Sequence, residues 1–314
     1  MPQTVDPPSF LRDFLARRPG ARLEKIHAEA SRRGFFRIRL GKKTLVAMVY
    51  PEPSHVEVER FCAVQGTYRS CGLRVPRIDR VLGDQVVLQE DLGDLLLQKA
   101  WRGAGPGGRR SLLDQCREIL GQLAAVPRER TTARLDLARR KWEMDFFLAH
   151  FFPRFPGAGM KAEALREALF RLAGAVGPED AFAHRDFHSR NLLVLKNEIA
   201  LVDFQDSLLA PKYYDLVSLA FDSYLDLGAF RGMLFPNLAA RGDDVELRRM
   251  RRIALQRNIK ALGTFAFQMH ERRHRVYARY IPRTIRHIRG HLAVLADPQF
   301  KILTKYFKSV TRDA

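Results

Sequence analysis

The chain has 314 residues, with 54 Lys and Arg against 35 Asp and Glu, for a formal charge of +19. Its 46% hydrophobic content belongs to a globular protein with a core and excludes a disordered polycation. Thirteen Lys and Arg but one acid, Glu271, fall between Arg248 and Arg289, a local excess that on composition alone suits nucleic acid, an anionic membrane or a phosphorylated small molecule.

From the N-terminus, MPQTVDPPSFLRDF sets prolines and an acid where a signal peptide needs an apolar run. Residues 35–40 and 44–50 are short apolar runs about Gly41-Lys42-Lys43, a hairpin signal, and 27–31 is expected as a strand before them. Ser54 caps a helix that ends at Gly72. Cys62, Cys71 and Cys116 form no C-x-x-C pair and read as free thiols of a reducing compartment. Strands are expected at 77–82 and 86–90, divided by Gly83-Asp84. Past Gly93 the leucine spacing turns helical over 111–125, 135–152, 162–173 and the basic run 245–270, and the only later β signal lies between Leu192 and Val202. The fold class is therefore α+β, with a small antiparallel sheet lobe over 1–92 and a large helical lobe over 93–314. No run approaches the ~18 apolar residues of a membrane span, so a cytoplasmic protein is expected. GAGPGG at 103–108 matches G-x-G-x-x-G, but it follows no strand and contains Pro106, and it reads as a flexible connector.

The chemistry concentrates in residues 183–219. Two apolar runs, 192–195 and 199–202, flank Lys196-Asn197-Glu198. A hairpin centred on Asn197 sets Leu192 opposite Val202 and Asn191 opposite Asp203. An amide oxygen and a carboxylate are hard ligands suited to Mg2+ that keeps water and phosphate oxygens as its other partners. Asp186, in the polar loop leading to Asn191, is then the group to accept a proton from a substrate hydroxyl, the division of labour that phosphoryl transfer needs.

HRDFHSRN followed by DFQ resembles the kinase pattern H-R-D-x-x-x-x-N … D-F-G. Only eleven residues separate Asp203 from Asp215 and no A-P-E follows, so the likeness is to the small-molecule kinases of the aminoglycoside phosphotransferase superfamily rather than to protein kinases. VVLQEDLGD, HRDFHSRN, VDFQDSLLAPKYYDLVSL and RNIKALGTFAFQ together resemble the bacterial N-acetylmuramate/N-acetylglucosamine anomeric kinases over most of the chain. The resemblance implies a two-lobed protein-kinase-like fold. The implied enzyme is an ATP- and Mg2+-dependent kinase for the anomeric hydroxyl of one or both sugars in cell-wall recycling. Apart from the resemblance, a monomer without a nucleic-acid partner is expected. The resemblance makes Asp186 the base, Asn191 and Asp203 the metal ligands, Asp215 a brace of the catalytic loop, and His188 the occupant of a place where protein kinases put a phosphate-contacting Lys.

The nucleotide is expected at the turn Ser31, Arg32, Arg33 and Gly34, at Met48, and at the backbone of Gln89, Glu90 and Asp91. Met48 stands where V-A-I-K sets its lysine, so a substitute cation is sought in Arg32 or Arg33, against the alternative of a solvated hairpin tip. Glu143, Asp206, Asp222 and Arg257 are the candidates for sugar contacts, with surface or helix pairing as the competing reading of each. Arg257 and Lys260, one turn apart, would suit a carboxylate-bearing sugar. Two other functions are weighed. An aminoglycoside-type or other hydroxyl kinase calls for an acidic acceptor site, which the basic helices oppose. An inactive nucleotide-binding scaffold with a basic nucleic-acid or membrane face is opposed by the intact Asp186, Asn191 and Asp203.

Overall fold

GFFRIRL and KTLVAMV alternate apolar side chains with residues of the opposite face, the period-2 pattern of a half-covered sheet. The computed structural model describes residues 5–26, 32–157, 159–196, 198–235 and 244–310. The chain divides into two compact units, 1–96 with 192–205, and 97–191 with 206–314, where the sequence suggests a single join between 92 and 93.

In the first unit α1 (Ser9–Ala16) precedes β1 (Arg22–Ile26), β2 (Gly34–Leu40), β3 (Lys43–Val49), α2 (His55–Ser70), β4 (Ile78–Leu82) and β5 (Val86–Glu90). The five strands form one antiparallel sheet in the order β1-β2-β3-β5-β4. The leading strand is 22–26, ahead of the expected 27–31, which lies outside the described residues. Helix α1, which no sequence signal announced, buries Leu11 and Phe14 against Phe36, Ile38, Leu45, Val49 and Leu88. Ser54 caps α2, its hydroxyl accepting the Glu57 N–H at 3.3 Å, and Gly72 follows the helix with φ +76°. Cys62, Cys71 and Cys116 are free thiols.

In the second unit, α3 (Leu97–Gly103), α4 (Pro106–Ala124), α5 (Leu137–His150) and α6 (Ala162–Ala175) lead to β6 (Ala181–Ala183). GAGPGG is no connector beyond its first residues: helix α4 starts within it, with Pro106 at its first turn. The hairpin β7 (Leu192–Val194) and β8 (Ile199–Leu201) belongs with the first unit. The second unit resumes with β9 (Leu208–Ala210), α7 (Tyr214–Ala220), α8 (Asp244–His270), α9 (Ile281–Leu295) and α10 (Lys301–Ser309). Strands β6 and β9 pair, an element the sequence reading lacked. The core is built by α5, α6, α8, α9 and α10 around Phe147, Leu169, Ile259, Leu262, Ile288 and Phe307. Gly263 of α8 lets that helix close on α5: a methyl group there would stand 2.8 Å from Phe147 Cα. Among the described residues no helix is long and apolar enough to cross a membrane.

The hairpin differs from its expected register by one residue. Leu192 pairs with Leu201, Leu193 with Ala200 and Val194 with Ile199, and the Leu195 N–H reaches the Glu198 carbonyl at 2.8 Å. The loop is thus two residues, 196–197, rather than three, and Asn197 lies outside the described residues. In that register Asn191 is no longer opposite Asp203. Asp203 instead leaves the strand end with φ +63°, in the left-handed region that non-glycine residues seldom occupy.

Candidate active site

The loop 184–191 joins β6 to β7, and two buried carboxylates hold its backbone. Asp215, at the start of α7, accepts the N–H of His184 at 2.6 Å and of Arg185 at 2.9 Å. Asp222, with no exposed surface, accepts the N–H of Ser189 at 2.8 Å and of Tyr224 at 2.7 Å. A third acid, Glu143 of α5, is 1% exposed and takes Arg185 Nη2 at 3.0 Å on one oxygen and Gln256 Nε2 at 2.8 Å on the other. Glu143 and Asp222, expected at the sugar, are thus sealed braces whose lone pairs point at protein donors. Asp215 is the brace the sequence reading named. Burial pushes its carboxyl up to about 7, against the two backbone N–H groups and the Arg257 charge, which favour the ionised form.

At the centre of this loop the Asp186 carboxylate stands 3.3 Å from Lys260 Nζ of α8. Burial alone would raise its proton affinity. The ammonium of Lys260, then Arg185 and Arg257, outweigh that effect, and the carboxyl stays well below the usual carboxylate range. An always-ionised Asp of this kind can accept a hydrogen bond from a hydroxyl and receive its proton as the oxygen attacks. His188 is the opposite case: burial drops its imidazole to about 3, so it is neutral and brings no charge to the loop. Its ring packs edge-on to Tyr224 at 4.9 Å. The cation in contact with Asp186 is therefore Lys260, 74 positions away in the chain, which the sequence groups only with Arg257. Asn191 Nδ2 donates to the Asp186 carbonyl at 3.0 Å, which commits the nitrogen and leaves the amide oxygen as an acceptor.

Within the first unit the candidate nucleotide residues separate. Arg33 Nη1 lies 3.2 Å from Met48 Sδ, and its Nη2 reaches Asp203 Oδ1 at 3.1 Å. A guanidinium from the β1–β2 turn thus stands against the side chain that fills the position of the missing strand lysine. Arg32 is exposed, and Ser31 lies outside the described residues. Gly34 opens β2 against Val5, whose Cβ would meet an added methyl at 2.9 Å; its smallness serves that contact. Glu90 is clamped by Arg74 at 2.7 Å and by Arg77. Those ion pairs hold its carboxyl at about 2 against the opposing effect of burial. Asp91 pairs with Arg37 at 2.7 Å. The Glu90 N–H donates to the Arg77 carbonyl at 2.8 Å and is not available to a base. Gln89 is buried, and its Oε1 has no partner among the described residues. Asp203 Oδ1 also accepts Gln205 Nε2 at 2.9 Å, while Asp206 is half-buried in the turn that follows. Among the described residues no three His, Cys, Asp or Glu cluster as a metal site.

A profile of the phosphotransferase enzyme family matches residues 22–279. The N-acetylmuramate/N-acetylglucosamine kinase of Pseudomonas aeruginosa PAO1 is 26% identical over 98% of this chain and 94% of its own. Among solved structures, the gentamicin complex of APH(2")-IIa superposes with a TM-score of 0.62 at 13% identity, covering 95% of this chain and 99% of that one. ADP-bound aminoglycoside phosphotransferase APH(2'')-Ib gives 0.59 at 12% identity, over 90% and 98%. At those identities the structural likeness is one of fold, the kinase-like α+β fold.

Proposed function

The chain belongs to the phosphotransferase enzyme family, a transferase acting on the hydroxyl of a small molecule, and from that premise we propose that it is an ATP-dependent kinase for the anomeric hydroxyl of N-acetylmuramate and N-acetylglucosamine, serving peptidoglycan recycling in the cytoplasm. The observation that carries the reading is Asp186, kept ionised by Lys260 on a loop pinned by Asp215 and Asp222. The similarity to the Pseudomonas kinase over nearly the whole of both chains supports the sugar class. Lys260 and Arg257 add positive charge beside the base, which disfavours a polycationic aminoglycoside acceptor.

In this reading Asp186 orients the acceptor hydroxyl and takes its proton. Lys260 offsets negative charge as the phosphoryl group arrives, the part His188 cannot play while neutral. Asn191 and Asp203 are the proposed Mg2+ ligands. Their hard oxygens fit that ion, and two side chains leave the remaining positions to water and phosphate. When bound, Mg2+ would neutralise the phosphates and hold them in line. Arg33 is the proposed phosphate clamp, and the Gln89–Asp91 backbone the proposed adenine contact.

The test is a panel of N-acetylmuramate, N-acetylglucosamine and kanamycin with Mg·ATP. A sugar 1-phosphate is expected and kanamycin stays unmodified; phosphorylation of kanamycin alone would overturn the reading. Asp186→Asn is expected to lower kcat by about two to four orders of magnitude while ATP affinity changes little.

A further inference from the structure

Helix α8 presents its middle to the protein interior. Gln256 and Asn258 are buried and hydrogen-bonded to Glu143 and to the Phe221 carbonyl. Arg257 between them is buried too, at 6% exposure, yet no hydrogen bond or ion pair engages its guanidinium among the described residues, and its Nε is sealed without a partner. A buried cation left this way is costly. The other arginines of the basic run show how the fold normally settles the matter. Arg248 caps the Leu295 carbonyl, Arg249 pairs with Asp180, and Arg289 donates to the Phe307 carbonyl. Arg257 is held only at a distance, by the field of Asp186, Asp215 and Asp222, each of whose carboxyls its charge acidifies. Two more buried polar atoms without partners, Tyr214 OH and His188 Nδ1, belong to side chains that feel the same charge. Unmet polar atoms thus gather about one guanidinium beside the catalytic loop.

Lys260, on the same helix face, marks where the reacting oxygen goes, because it touches Asp186. Arg257 precedes it by three residues, about 4.5 Å along the axis. An anion held there is offset along the helix from the Lys260–Asp186 contact. The planar fork of a guanidinium matches a carboxylate through two parallel hydrogen bonds. The two proposed sugars differ in one respect that such a fork can read: N-acetylmuramate carries a lactyl carboxylate where N-acetylglucosamine has a hydroxyl. We propose that Arg257 is the carboxylate-binding residue of the acceptor site and sets a preference for the acidic sugar over its neutral counterpart. The inference rests on the amino-sugar reading, and the experiment separates the two.

Kinetics on both sugars give the ratio of kcat/KM for N-acetylmuramate over N-acetylglucosamine. In Arg257→Gln that ratio is expected to fall by about tenfold to a hundredfold, the loss of a charge-assisted pair. Arg257→Lys, which keeps the charge and loses the fork, is expected to fall part of the way, and it supplies the measurement if the Gln variant does not fold. An equal loss on both sugars would assign Arg257 to the transferred phosphoryl group or to structure and overturn the proposal, as would an unchanged ratio. Calorimetric titration of both sugars into the full chain with Mg·ADP needs no turnover. If the wild type phosphorylates neither sugar, the amino-sugar reading falls. The proposal then stands only if N-acetylmuramate binds more tightly than N-acetylglucosamine and Arg257→Gln erases the difference.

Discussion

In the proposed reading, Arg33 and Met48 divide between them what one lysine does in the V-A-I-K pattern. Met48 fills the strand position with an apolar chain that is 1% exposed, and Arg33 brings the charge to its sulfur from the neighbouring turn. If the cation matters and its origin does not, the charge can be moved back. Arg33→Ala is expected to weaken ATP and ADP binding by about tenfold to a hundredfold while adenosine binding changes little, because phosphate contacts are charge-assisted. Adding Met48→Lys to that variant is expected to restore much of the loss. Titration of the three nucleotides into the single and double variants checks this, and a double variant as weak as the single would count against the clamp. Which arginine lies against Met48 was not legible in the chain. HRDFHSRN and DFQD declare themselves because their groups act within a few positions of one another. Arg33 and Asp203 are 170 positions apart, and Lys260 and Asp186 are 74, so only the folded backbone makes them partners.

The groups around the proposed base, Asp186, come from two packed helices. Lys260 and Arg257 ride on α8, Glu143 on α5, and at Gly263 α8 lies directly against the Phe147 backbone of α5. Glycine inside a helix costs about 0.5–1 kcal/mol relative to alanine, so its place here rests on packing. Gly263→Ala puts a methyl 2.8 Å from Phe147 Cα and 3.1 Å from Phe147 N, backbone that no rotamer change can clear. A destabilisation of about 1–3 kcal/mol is expected, read as a lower urea midpoint, whereas a freely exposed helical glycine would gain stability from the same change. The long helices were plain from leucine spacing. Strands β6 and β9, at three residues each, are too short to show a period, and α1 is a single amphipathic segment among prolines. The β7–β8 register was off by one because a two-residue and a three-residue loop read alike in a polar Lys-Asn-Glu stretch.

At the scale of the whole molecule, the basic excess is largely bound into the fold. Arg248, Arg249, Arg283 and Arg289 are tied to carbonyls or acids of the second unit rather than forming a separate tail. The first unit is closed by a segment that comes much later in the chain. Phe204 stacks on Phe61 at 5.0 Å and lies 5.3 Å from Tyr68, and Leu193 and Ala200 pack on Leu92. A fragment of residues 1–96 is therefore expected to show no cooperative thermal transition by circular dichroism. The same fragment joined through a short linker to residues 192–205 is expected to show one; equal behaviour of the two would mean that the sheet stands alone. Synthesis in the cell meets the same arrangement as a delay. The ribosome adds about 100 residues between the last of the sheet and the hairpin that completes it, roughly 5–20 s at 5–20 residues per second. For that interval Phe61, Tyr68 and Leu92 lack their partners, and the nascent chain carries an unfinished apolar surface for chaperones to cover.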